Sequence, residues 1–181
     1  MRRNETILLT TIAGAAFIAA LVHYIKRNKK YIAMPTQVNP GSADVTQTLP
    51  RGYRNNNPLN IRYNKANDWK GKVTPNTDGT FEQFVSQEYG YRAGLRLMQN
   101  KIKQGYNTVA ELISVWAPAT ENNTNGYISR VCGTTGYQPA TPLSATNREQ
   151  LIIMAYAMAL VENGYTPMPD IEAIKKGWEL L

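Results

Sequence analysis

The hydrophobic pattern divides this chain into an apolar run, an unpatterned stretch and a periodic remainder. From Ile7 to Ile25 the sequence ILLTTIAGAAFIAALVHYI contains no Asp, Glu, Lys or Arg, and Arg2-Arg3 and Lys26-Arg27 bound it. At about 1.5 Å per residue such a run makes roughly 28 Å of helix, close to the hydrocarbon thickness of a bilayer. Lipid offers no partner to free backbone N–H and C=O groups, so a helix is the form it would take. The pattern predicts a single N-terminal membrane anchor within residues 1–30. A cleaved signal peptide and a buried core helix are the alternatives, but a signal peptide has a shorter apolar region and a small-x-small exit. Residues 31–50 follow no period and are rich in Pro, Gly and Thr, the composition of a flexible linker.

From residue 51 to residue 181 the pattern is that of one globular domain. Between Arg51 and Val85 short apolar pieces alternate with Asn, Gly and Pro, which predicts loops and a small antiparallel hairpin. The period then lengthens to that of helices. Tyr91, Leu95, Met98 and Ile102 share one face of a helix over about 89–104, closed by Gly105. Thr108 and Glu111 form a capping-box pair for a second helix, over Val109, Leu112, Ile113 and Trp116, that Pro118 stops. Asn123 or Thr124 begins a third, over Tyr127, Ile128 and Val131, ended by Gly133 or Gly136. Ser144 is a candidate cap for the next, whose stretch Leu151–Val161 is hydrophobic nearly all round and predicts a buried central helix that Gly164 ends. Pro169-Asp170 opens a last helix carrying Ile171, Ile174, Trp178 and Leu181. The expected fold class is α+β, mostly α, with a small hairpin and loop lobe facing a helical lobe behind the anchor.

Charge changes this picture little. The net charge of +7 resides mostly in the first thirty residues, where Arg2, Arg3, Lys26, Arg27, Lys29 and Lys30 face only Glu5. The remainder is nearly balanced and has no nucleic-acid motif, so no specific nucleic-acid partner is expected. Residues 51–103 lean basic, as either a solvated face or a surface for an anionic polymer would. With one Cys and one His, neither a disulfide nor an ordinary zinc site is expected, and no metal or cofactor is implied.

Three stretches in order carry a resemblance: RGYRNNNPLNIR at 51–62, DGTFEQF at 78–84 leading to YGYRA at 89–93, and WAPATENNT at 116–124. Together they resemble the lysozyme-like, lytic-transglycosylase-like family of phage virions and prophages, over about residues 51–138. The sequence departs from that pattern at Leu59, where Gly is frequent, and at Tyr91, where Ile is frequent; both are expected to be packing variants. The resemblance implies a lysozyme-like fold and action on peptidoglycan. With the anchor, it describes a single-pass protein of a viral internal membrane or the host inner membrane, whose domain reaches the wall and meets glycan strands and other virion proteins. Positive charge after the apolar run favours the opposite sidedness, with the domain in the cytoplasm.

Cleaving a β-1,4 glycosidic bond requires an acid that protonates the departing oxygen, and near neutral pH this is a carboxyl with a raised pKa. Glu121 is the first candidate, since it follows a helix-stopping segment and precedes hydrogen-bonding Asn and Thr; an acid before a helix also simply complements the macrodipole. Asp78 is the candidate second carboxylate of a hydrolase, although Asp before Gly is ordinary turn chemistry. Glu82 is expected to point to solvent, and Glu88 is a lesser candidate. Amides of Asn56, Asn57 and Asn60, with Arg62, Asn123, Thr124 and Tyr127, are the candidate glycan-binding groups. An Asn-rich loop serves backbone turns equally well, and Tyr127 or Trp69, each able to stack on a sugar, fits core packing equally well. The competing expectation is a non-enzymatic, membrane-associated virion protein that binds glycan or partner proteins.

Overall fold

A computed structural model describes residues 49–165 and 167–181. After a single turn α1 (Arg51–Arg54), the chain forms α2 (Gln87–Lys103), α3 (Val109–Trp116), α4 (Thr124–Thr135), α5 (Arg148–Asn163) and α6 (Ile171–Glu179). Local chemistry sets most of these ends. Thr108 and Glu111 make the reciprocal capping box of α3, which occupies backbone N–H groups that a helix start leaves unpaired. Asn123 accepts from the Gly126 N–H to start α4, and Gly136 ends it at a φ of 73°, in the left-handed region where a Cβ is costly. Asn147, not the expected Ser144, caps α5 by accepting from the Gln150 N–H. Asp170 caps α6 through the N–H groups of Glu172 and Ala173.

The centre of the molecule is α5. Every residue from Leu151 to Leu160 is buried, and α1, α2, α4 and α6 all pack on this helix. Each fully buried Leu or Ile there stabilises the fold by about 1.5–3 kcal/mol. The broadest contact elsewhere joins α2 to α6, where a Cβ on Gly177 would meet the Glu88 carbonyl and Tyr91. Arg92 and Arg96 on α2 extend this seam by donating to the carbonyls of Leu180 and Leu181, at 2.9 and 2.6 Å.

Residues 55–86 form a lobe of loops, which corrects the expected fold class. Instead of a hairpin, the described residues show isolated antiparallel bridges, Arg62 with Phe81 and Lys72 with Phe84. Side chains satisfy the backbone here and so displace a ladder. The amide of Asn57, fully buried, donates to the carbonyls of Ile61 and Glu82 and accepts from the Ile61 N–H. Asn56 and Asn60 take positive φ, at 50° and 47°, which breaks the extended run. Glu82 is also corrected: it is wholly buried rather than solvent-facing, because its carboxylate accepts from the Asn64 N–H at 3.1 Å and pairs with Lys72 at 3.3 Å.

The expected single-pass membrane architecture and localisation are likewise corrected. Among the described residues no helix is long and apolar enough to cross a membrane. The apolar run 7–25 and all but the last two residues of the expected linker 31–50 lie outside the described residues.

Candidate functional site

Between the loop lobe and the helices opens a cleft of about 340 Å³. The lobe contributes Asn60, Ile61, Arg62 and Phe81; α2 contributes Leu97 and Lys101; α3 and the turn after it contribute Trp116, Pro118, Glu121 and Asn122; the last turn of α5 contributes Glu162. Each side is placed by local sequence. Pro118 ends α3 and turns the chain, with the N–H groups of Glu121 and Asn122 both donating to its carbonyl. The buried Thr124 hydroxyl donates to the Ala117 carbonyl at 2.6 Å, which fastens that turn to α4.

Two carboxyl groups line this cleft in contrasting surroundings. Glu121, about half exposed, forms an ion pair with Arg62 at 2.6 Å. Glu162 is partly buried; one oxygen accepts from the Asn60 amide and the other from the Tyr127 hydroxyl, both at 2.9 Å. Burial pushes the Glu162 carboxyl above its ordinary range, against opposing hydrogen bonds from Asn60, Tyr127 and Trp116. Burial and the Glu162 charge in turn hold the Tyr127 phenol far above its usual value, so that hydroxyl remains a donor.

Asp78 stands apart from this pair. It accepts from Arg51 through two bonds of 2.6 and 2.7 Å, from Asn55 at 2.8 Å and from the N–H groups of Thr80 and Phe81. Desolvation opposes ionisation, but these donors win and hold the carboxyl well below its usual range. These bonds make Asp78 the anchor of its turn. Its partner Arg51 lies over the Phe81 ring at 4.7 Å and Arg62 lies near the same ring at 5.9 Å, so Asp78 acts on the cleft by steadying one wall.

The candidate binding residues separate in the same way. Asn60, Arg62 and Glu121 line the cleft, and Tyr127 reaches it through Glu162. Asn56 donates to the Phe84 carbonyl, Asn57 holds the lobe together, Asn123 caps α4 and Thr124 braces the turn. Trp69 packs against the core, as do the two departures from the family pattern, Leu59 and Tyr91, both wholly buried.

Glu162 was not singled out by sequence reasoning, though a signal existed. It is the only charged residue between Leu151 and Asn163, and it sits in the last turn of a helix, where the dipole disfavours an acid. An acid held against both preferences is a functional candidate.

No protein-family model matches the chain. Over 148 residues it is 36% identical to Protein P5 of Pseudoalteromonas phage PM2, an alignment that covers 80% of the chain and 85% of that protein. At that identity and coverage, the chain belongs to the family of this phage protein.

Proposed function

We propose that this member of a phage protein family cleaves the glycan strand of peptidoglycan at β-1,4 bonds, with Glu162 as the proton donor in the cleft. The observation that carries this reading is the placement of two carboxyls in one cleft under opposite environments, one desolvated and one ion-paired. Glycoside cleavage uses a pair of carboxyl groups in unlike environments, one of them desolvated so that it retains its proton. Glu162 delivers its proton to the glycosidic oxygen as the C–O bond breaks. Glu121, ion-paired with Arg62, either stabilises the cationic sugar and activates water, or leaves attack to the sugar's own hydroxyl. Asn60 and Asn122 supply amides for sugar hydroxyl and N-acetyl groups, and Trp116 and Phe81 supply apolar faces. The role first expected of Glu121 as the acid thus passes to Glu162.

The test is release of soluble fragments from purified peptidoglycan. Wild type releases them, Glu162→Gln loses about 10²–10⁴-fold while still binding the wall, and Glu121→Gln falls by less. Full activity in Glu162→Gln, or none in the wild type, overturns the reading. Product mass then distinguishes anhydro ends, made by a transglycosylase, from reducing ends, made by a hydrolase.

A second reading rests on the two hydrogen bonds that Glu162 accepts. They tie the loop lobe to α4 and α5, as a purely structural bridge in a non-enzymatic phage structural protein would. In that case Glu162→Gln lowers stability and no variant alters a wall-cleaving activity, because none exists.

A further inference from the structure

A second concavity, of about 200 Å³, adjoins the cleft. Asn122 lines both, and Tyr127 lines the second while donating to Glu162 in the first. The two therefore share a wall, and a linear polymer seated against Glu162 meets the second concavity within its own length.

The cations of the two spaces differ in their engagement. In the cleft, Arg62 is neutralised by Glu121 at 2.6 Å, and Lys101 lies near the Tyr106 ring. In the second concavity, Arg130 is exposed and forms no ion pair among the described residues. No acidic side chain lines that space; its other walls are the neutral Asn122, Asn123, Gly126, Tyr127 and Val161. A guanidinium over a neutral floor matches a planar carboxylate by two parallel hydrogen bonds.

We infer that this second concavity is an anion subsite, in which Arg130 takes a carboxylate carried by a substituent of the bound glycan. The inference rests on the glycan reading of the cleft and narrows its substrate class. A strand with acidic side groups, such as the stem-peptide carboxylates of peptidoglycan, is preferred over the same strand with those groups neutralised. Arg130 is then a specificity residue and takes no part in bond cleavage.

The experiment measures sedimentation binding of the full chain, carrying Glu162→Gln to prevent turnover, to two forms of peptidoglycan sacculi. One is intact, and in the other the carboxylates are converted to methylamides with carbodiimide and methylamine. Expected is roughly tenfold tighter binding to the intact form, abolished by Arg130→Gln and partly restored by Arg130→Lys. Arg54→Gln, which removes the same charge from outside both concavities, leaves the preference intact. The subsite is overturned if Arg130→Gln keeps the tenfold preference, if Arg54→Gln abolishes it equally, or if both forms bind alike from the start. Equal binding leaves the glycan reading standing, whereas binding to neither form removes both.

Discussion

Glu162 and Asp78 show how one residue type acquires opposite properties from its neighbours. Burial raises the proton affinity of Glu162 over its unfolded value, so the folded protein binds more protons than the unfolded chain between those two values. Its protonated form is accommodated at low pH, and a cost grows as pH rises through the raised folded pKa. The Tm of the wild type is therefore expected to fall relative to Glu162→Gln as pH goes from about 4 to about 8; parallel curves would show that the side chain is not desolvated as described. The sign reverses at Asp78, whose donors depress its pKa. Its contribution is present above its unfolded value of about 4 and is lost as pH drops through the lower folded value. Asp78→Asn is expected to cost about 2 kcal/mol at neutral pH, with the deficit shrinking in acid, by urea unfolding at both pH values. Neither property could be read from the sequence, since in each case the deciding groups come from distant segments.

At the scale of elements, the glycines of α2 record how closely the loop lobe approaches. A Cβ on Gly90 would meet the Asn56 backbone carbonyl, and one on Gly94 would meet the tip of the Leu59 side chain. Backbone cannot yield as a side-chain methyl can, so the two positions respond differently to the same substitution. Gly90→Ala is expected to destabilise by about 1–3 kcal/mol through overpacking. Gly94→Ala costs less, because the clash is relieved by a rotamer change and offset by a helix-propensity gain near 1 kcal/mol. Equal midpoints in equilibrium denaturation of the two variants would contradict that difference. The helices themselves were largely legible, because capping and periodicity are local: Thr108 with Glu111, Asn123 and Gly136 mark their ends in the sequence as in the structure. Ser144 misled because it too is a good cap. The Gln150 side chain instead accepts from the Ser144 N–H and donates to the Pro142 carbonyl, which keeps Ser144 in the preceding loop and leaves Asn147 at the helix start.

Across the whole molecule, the cleft exists because the end of α5 grips the loop lobe. Asn163 donates to the Pro58 carbonyl at 2.6 Å and to the Ala159 carbonyl at 3.0 Å, and its oxygen sits where a Cβ on Gly52 would fall. With the Asn60 to Glu162 bond, this joins segments more than a hundred positions apart. Asn163→Ala leaves the Pro58 carbonyl unpaired in a buried place and is expected to cost about 2 kcal/mol. Amide exchange in residues 51–86 should accelerate more than in α2 or α6, since the lobe loses its attachment while the helical core keeps its packing. Uniform acceleration would mean that lobe and helices open as one unit.

The order of the five longer helices, the caps of α3 and α4, the buried α5 and the turn-rich character of residues 51–85 followed from the sequence, because each depends on residues within a few positions of one another. Tertiary structure decided the rest. It replaced a hairpin with a lobe pinned by side chains, buried Glu82, committed Asp78 to Arg51, and placed Glu162 rather than Glu121 in the desolvated part of the cleft. A carboxyl's hold on its proton depends on which surfaces exclude water from it and which donors reach it, and here those groups come from Asn60, Trp116 and Tyr127, which only the folded chain brings together.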